Sequence, residues 1–291
     1  MNKQIEMDAF CARLRDGMTI GIGGWGPRRK PMALIRAILA SPVKDLTIVS
    51  YGGADVGMLC AAGKVKKLIF AFVSLDFIPL EPYFRQARQA GAVSVMEIDE
   101  GMLLQGLRAA AWRIPFIPTA VGLGTDVLRH NPDIKVIDSP YDDKEWVAMP
   151  ALPLDMALIH VNKADVRGNC QINAPDRFMD EWFARAAQET VVSTEAIVEP
   201  EHFYAPEEAR NVFWERNFTH AVVHLPGGAH PTSCQPEYGF DVSHLTHYAK
   251  SAKADGFEAY CEAFACLQSE AAYQDKVGGL AHIQSLPLPT Y

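Results

Sequence analysis

The 291-residue chain carries no CxxC pair, no long apolar run and no extended basic run. Each absence excludes a class of protein. Six widely spaced cysteines, of which Cys261 and Cys266 are the closest, do not form a zinc ribbon or a disulfide framework and point to reduced thiols in the cytoplasm. No stretch approaches the roughly 18 apolar residues that cross a bilayer, so no membrane association is expected. The opening MNKQIEMDAF lacks a charged segment leading into an apolar one, the pattern of a secretory signal. With a formal net charge of −8 and only Arg28-Arg29-Lys30 and Lys64 to Lys67 as basic clusters, a nucleic-acid surface is not expected.

Catalytic signatures are missing too. The run GIGGWG lacks the third glycine of a dinucleotide fingerprint, and no GK[ST] follows it to make a phosphate loop. There is no GxSxG nucleophile elbow, no HExxH and no two-histidine, one-carboxylate spacing, so no metal site is expected. His230, within PGGAHPT, reads best as a turn or packing residue.

What is present is a sequence of short apolar runs. MTIGIGG (18–24), LTIVSYGG (46–53), KKLIFAFVS (66–74), AVSVMEID (92–99), MALIHVN (156–162), ETVVSTE (189–195) and HAVVHLPGG (220–228) are nearly continuous in hydrophobicity, as for strands buried on both faces. Helical patterns lie between several of them, at 31–41, 80–91, 101–113 and 177–188. Alternation at this spacing predicts an α/β fold with an open, mostly parallel sheet and helices on both faces. A single domain over 1–291 is expected, with a weakly patterned excursion at about 123–145. A tail, helical near 243–275, should wrap the surface or a neighbour.

Ligands of open parallel sheets bind beyond the carboxyl ends of the strands. Here those ends carry Gly23-Gly24-Trp25-Gly26, Tyr51-Gly52-Gly53, Ser74-Leu75-Asp76 and Asp99-Glu100-Gly101. Glycines permit close approach, while the acids and Ser74 supply chemistry. Arg28, Arg29 and Lys30 beside a glycine-rich turn could funnel a phosphate or form a solvated loop. Glu100 also has two readings. It could complement the helix dipole, worth about 0.3–1 kcal/mol. Asp99 is already available as the cap, however, and Gly101 makes a costly helix start, so catalysis stands beside capping as a reading of Glu100.

The stretch DGMTIGIGGWGPRRKP (16–31) resembles the N-terminal signature of the alpha subunits of family I CoA-transferases, with Trp25 in place of a Phe after Gly23 and Gly24, and Pro31 closing the pattern. RKPMALIRAIL is most similar to the glutaconate CoA-transferase branch. The resemblance continues through DLTIVSYGGADVGMLCAAGKVK, GLRAAAWRIPFIPT, DMALIHVNKADVRGN and PGGAHPTSC, nearly the whole chain. It implies a CoA-transferase-like fold and a beta partner, in an α2β2 heterotetramer.

One departure is informative. The Ser-Glu-Asn-Gly context of the transferases' nucleophilic Glu does not occur here. The combination RRKPMA, SLD and DEGML is instead similar to the alpha subunit of the ring-opening hydrolases of bacterial steroid degradation, whose catalytic acid matches Glu100. The resemblance implies hydrolysis of a cyclic β-keto CoA thioester without any cofactor, CoA being part of the substrate. Substrate or CoA contacts are expected at Gly23, Gly24, Trp25, Arg29, Gly53, Ser74 and Asp76. Backbone N–H groups of the glycine turn would hold the oxyanion, and burial would strengthen Glu100 as a base. A true CoA-transferase alpha subunit and a non-catalytic ligand-binding relative remain alternatives.

Overall fold

All seven nearly continuous apolar runs form parallel strands in the computed structural model, which describes residues 2–254 and 256–289. They are β1 (Thr19–Ile22), β2 (Leu46–Gly52), β3 (Val65–Val73), β4 (Ser94–Glu97), β8 (Leu154–Ala164), β10 (Ala187–Ile197) and β11 (Ala221–His224). The sheet order is β11-β10-β8-β1-β2-β3-β4. The two-residue β9 (Cys170–Gln171) joins β8 antiparallel.

From β1 the chain builds outward through β2 and β3 to β4, then crosses to β8 and builds the other way. The order therefore switches between β1 and β8, where both strands pair with register Ile20↔Met156. Such a switch point opens a crevice at the carboxyl edge.

Both faces of the sheet are covered, which accounts for the unbroken hydrophobicity of the strands. One face packs Ile20, Ile48 and Leu68 against helices Met32–Ala40, Ala54–Ala61 and Pro82–Gln89 and against Val242–Ser251 of the tail. The other packs Val49, Ala157 and Val192 against helices Glu100–Ala111 and Asp180–Ala186. In the first of these, Met102, Leu103 and Leu107 face inward and are fully buried, each worth about 1.5–3 kcal/mol. Gly106 belongs to the same face because a Cβ there would lie 2.7 Å from Leu152.

The 123–145 region is more ordered than its weak pattern suggests. It belongs to a second, antiparallel sheet of β5 (Phe116–Thr119), β6 (Lys135–Asp138) and β7 (Glu145–Pro150), in the order β5-β7-β6. These strands are short and half exposed, so they lack the apolar runs that revealed the main sheet.

The tail wraps the chain's own surface. Glu270 forms an ion pair with Arg36 of helix Met32–Ala40, whose guanidinium stacks 3.6 Å from the Tyr273 ring. His230 has the packing role expected of it: buried, it bonds Tyr273 Oη at 2.6 Å and Asp241 Oδ2 at 3.2 Å. The expectation of reduced thiols fails at one pair, because Cys261 and Cys266 are joined by a disulfide. The other four cysteines are free.

Candidate active site

Glu100 opens its helix at the carboxyl edge of the sheet, directly after β4. Asp99 is the N-cap, its Oδ1 accepting from Gly101 N at 2.7 Å. A Cβ on Gly101 would sit 3.1 Å from that same oxygen, so the glycine leaves room for the cap rather than weakening the helix start. With capping assigned to Asp99, the Glu100 carboxylate has no hydrogen-bond or ion-pair partner among the described residues. It is exposed in this chain. The burial expected to strengthen it as a base has no source within the chain itself.

Beneath the helix start lies Tyr51, at the end of β2. Fully buried, it donates from its hydroxyl to the Glu100 carbonyl at 2.9 Å. Burial, reinforced by the nearby Glu100 and Asp99 charges, pushes its pKa up, so it remains a neutral donor. Phe72 of β3 packs on Tyr51 at 6.0 Å and on the Trp25 ring at 4.6 Å. An aromatic wall thus joins Glu100 to the turn after β1.

That turn is tightly built. Gly24 has φ +72°, and a Cβ there would lie 2.5 Å from the Arg28 carbonyl. Gly23 faces Asp180, whose Oδ1 a Cβ would meet at 2.7 Å. At Gly53 the close neighbour is the Gly26 carbonyl, 2.5 Å from a Cβ position. These glycines admit protein atoms, not a ligand.

The turn's amides are also engaged. Gly23 N bonds Leu158 O (2.9 Å), Gly24 N bonds Asp180 Oδ1 (2.8 Å), Trp25 N bonds Arg28 O (2.9 Å) and Gly26 N bonds Tyr51 O (3.1 Å). Gly53 N bonds Asp55 Oδ1 at 2.7 Å. The oxyanion hole expected from the glycine turn has no free donors.

The basic cluster is likewise corrected. Arg29, 1% exposed and at φ +47°, is ion-paired with the buried Asp180 and donates to the Asp176 carbonyl at 3.0 Å. Lys30 is fully buried, with its Nζ 2.9 Å from Ser50 Oγ and 3.2 Å from Asp55. Two of the three cations are therefore internal counter-charges, because a carboxylate waits for each in the core. Only Arg28 reaches the rim, stacking 5.0 Å over Trp25 and bonding Asp76 at 2.5 Å. Asp76 in turn donates its N–H to Ser74 Oγ at 3.0 Å. The Ser74 hydroxyl proton stays available to a ligand, and Ser74 and Trp25 are half-buried on the same edge as Glu100.

A second polar cluster escaped notice because its members are scattered through the sequence. His160 bonds Ser193 Oγ at 2.8 Å and Glu195 Oε1 at 2.7 Å. Glu195 also accepts from Gly227 N (2.7 Å) and Tyr238 Oη (2.5 Å). Burial works to raise its pKa, but the bonds from His160 and Tyr238 prevail and hold it low. Ser193 and His160 are fully buried, so this serine–histidine–glutamate arrangement ties β8, β10 and the 227–238 loop together and presents no nucleophile to solvent. Cys234 brings a third ligand-type atom within 4.8 Å of His160 and Glu195, but the histidine and the glutamate are already engaged.

A doubly wound sheet with an unengaged carboxylate and a hydroxyl at its carboxyl edge defines a protein suited to acid–base chemistry on a ligand held there. The chain belongs to the Coenzyme A transferase family, whose model matches residues 5–224. It is 47% identical over 259 residues to the cholesterol ring-cleaving hydrolase IpdA subunit of Rhodococcus jostii (strain RHA1), covering 87% of this chain and 88% of that protein. The subunit of the same name from Mycobacterium tuberculosis is 43% identical over 284 residues, with 95% and 97% covered. The crystal structure of glutaconate coenzyme A-transferase from Acidaminococcus fermentans superposes with a TM-score of 0.91 at 27% identity, over 98% of this chain and 95% of that one.

Proposed function

We propose that the chain is a subunit of a hydrolase that opens the last ring of a steroid-derived cyclic β-keto CoA thioester in bacterial steroid breakdown. Its similarity to two ring-cleaving hydrolase subunits over most of the chain supports this reading. The observation that carries it is Glu100: a carboxylate at the ligand-binding edge, released from capping duty by Asp99.

Glu100 takes a proton from water, and the hydroxide adds to the ring ketone carbon. The Ser74 hydroxyl supports the resulting oxyanion. When the alkoxide collapses, the bond from that carbon to the carbon alpha to the thioester breaks, and its electron pair becomes the thioester enolate. Glu100 returns its proton to the alpha carbon, leaving a carboxylic acid and an opened acyl-CoA. No cofactor takes part.

A beta subunit completes the site in a heterotetramer with two copies of each chain, in the cytoplasm. It lies over the exposed Glu100 and supplies the desolvation this chain does not. The alternative, a transferase alpha subunit, draws on the glutaconate coenzyme A-transferase likeness. That reading requires a nucleophilic glutamate on the partner.

Glu100→Gln in the complete complex tests the proposal. Ring opening should fall by about 10²–10⁴-fold, the contribution of a general base, with melting nearly unchanged. Near-normal single-turnover rates would remove Glu100 from the mechanism. CoA transfer to an added acceptor acid, in place of hydrolysis, would select the transferase.

A further inference from the structure

The chain is acidic, with 35 acids against 27 Lys and Arg, and most of its well-placed cations have carboxylate partners. Arg28, Arg29, Lys30, Arg36 and Arg88 are all in ion pairs. Three cations that lack one, among the described residues, converge on a single groove. Arg85 of helix Pro82–Gln89, Lys250 at the end of helix Val242–Ser251 and Lys253 just beyond line a cavity of about 570 Å³ between the two helices. Its remaining wall is mostly apolar and includes Ile78, Leu80 and Pro82.

No carboxylate lines this groove. Glu81, between Leu80 and Pro82 in the chain, is buried, with its carboxylate on Tyr248 Oη (2.7 Å) and Phe84 N (2.6 Å). Unpaired cations in a concave, partly apolar site concentrate a multiply charged anion far better than scattered surface lysines do.

The groove also leads to the candidate active site. A second depression, of about 670 Å³, shares Leu80, Arg85 and Gln89 with it and extends to Phe72 and Glu97. It follows the stretch of β3 beyond Phe70, where β4 has already ended at Glu97. Phe72 is the centre of the aromatic wall, between Trp25 and the Tyr51 that bonds Glu100. The groove and the depression therefore make one trough that runs from the three cations to Phe72, one ring away from the Tyr51 that bonds the Glu100 carbonyl. Its floor is mostly apolar, and both of its acids are engaged, Glu97 with Arg88 at 2.5 Å and Glu81 with Tyr248 Oη and Phe84 N.

We infer that Arg85, Lys250 and Lys253 bind the phosphates of the nucleotide end of the CoA thioester, while the pantetheine arm follows the trough past Leu80 and Phe72 to Glu100. This rests on the CoA-thioester reading above. It assigns the anion contacts to the helix pair and not to the Arg28-Arg29-Lys30 turn, whose last two cations are internal.

The test compares the complete complex with its Lys250→Glu/Lys253→Glu and Arg85→Ala variants, whose changes are on the surface and leave the core untouched. Binding of CoA, dephospho-CoA and pantetheine, and turnover of the corresponding thioesters, are measured at low and high salt. In the wild type, removal of the nucleotide phosphates should weaken binding. In the variants, KM for the CoA thioester should rise on the order of tenfold with kcat retained. The pantetheine thioester should be unaffected, and the difference should shrink at high salt. Variants that bind CoA like the wild type, or that lose CoA and pantetheine equally, overturn the groove and leave ring opening intact. A wild type that opens no ring, yet discriminates CoA from pantetheine through these three cations, overturns the reaction and keeps the groove.

Discussion

Arg29 and Asp180 show how a residue attractive in sequence acquires a different duty in the fold. A cation after a glycine turn suggests an anion ligand, and the anion is supplied from within, by a carboxylate that also accepts from Gly24 N. Both side chains are buried, so removing one strands the other charge without solvent. Arg29→Ala should therefore destabilise the chain by about 3–5 kcal/mol and lower the yield of folded protein, which denaturant unfolding would measure. A stable Arg29→Ala variant with a raised KM for the CoA thioester would restore the ligand role. Asp99 is the converse case. Its cap is local and readable from its position before a helix, and Asp99→Ala should cost about 0.5–2 kcal/mol while sparing more of the turnover than Glu100→Gln does. Of the candidate site, residues placed by a strand end were legible: Trp25, Ser74, Asp76 and Glu100 do share the carboxyl edge. The partners that decide their roles were not, because Asp180 lies 151 positions from Arg29 and nothing local announces it.

Elements were legible where burial on both faces writes an unbroken apolar run, as in β2 and β8, and illegible where an element is half exposed, as in β5 and β6. Expected helix 177–188 came out shorter, at Asp180–Ala186, because the chain enters β10 at Ala187. Helix Pro82–Gln89 illustrates a device that only the packed elements reveal. Its N-cap Glu81 is 1% exposed and pressed against Gly57 of helix Ala54–Ala61, where no Cβ could be accommodated. It also accepts from Tyr248 of helix Val242–Ser251, so one carboxyl joins three helices. Burial, the largest influence, raises its pKa from 4.5 to about 7 despite the bonds from Phe84 N and Tyr248 that favour the charge. Between those two values the folded chain holds more proton than the unfolded chain. The stability it contributes is full below about pH 4.5 and is lost as the pH rises through about 7. Glu81→Gln can keep the bond from Phe84 N through its amide oxygen, turns the Tyr248 bond round so that the NH2 donates to Tyr248 Oη, and removes the titration. Its melting temperature should rise relative to the wild type between pH 5 and pH 8, and a difference constant across that range would show that Glu81 does not titrate there. His244 is lowered to about 3, chiefly by burial. It works in the opposite sense in acid, but it is common to both proteins and cancels in the comparison.

At the scale of the whole molecule, the two sheets divide the labour. The parallel sheet is covered on both faces by its own helices, whereas the antiparallel sheet and its approaches leave large apolar side chains in solvent. Trp112 is 57% exposed, and Ile114, Phe116, Val121 and Val136 lie between 37% and 42%. Val121 is 3.5 Å from where a Cβ on Gly101 would stand, so one of these exposed side chains lies beside Glu100. Large apolar side chains left in solvent mark an interaction surface, and covering those beside Glu100 would also remove it from water, which this chain does not do unaided. Both requirements would be met if the beta subunit proposed above sat across the small sheet. Phe116→Glu together with Ile114→Asp should leave the parallel-sheet core intact, since neither residue belongs to either main apolar cluster. The double variant should fail to assemble with the beta chain in sedimentation velocity and should lose ring-opening activity in proportion. Helical signal and melting of the isolated chain should stay close to those of the wild type. Normal assembly of the variant would move the interface elsewhere, and full activity of the isolated wild-type chain would show that Glu100 needs no cover at all.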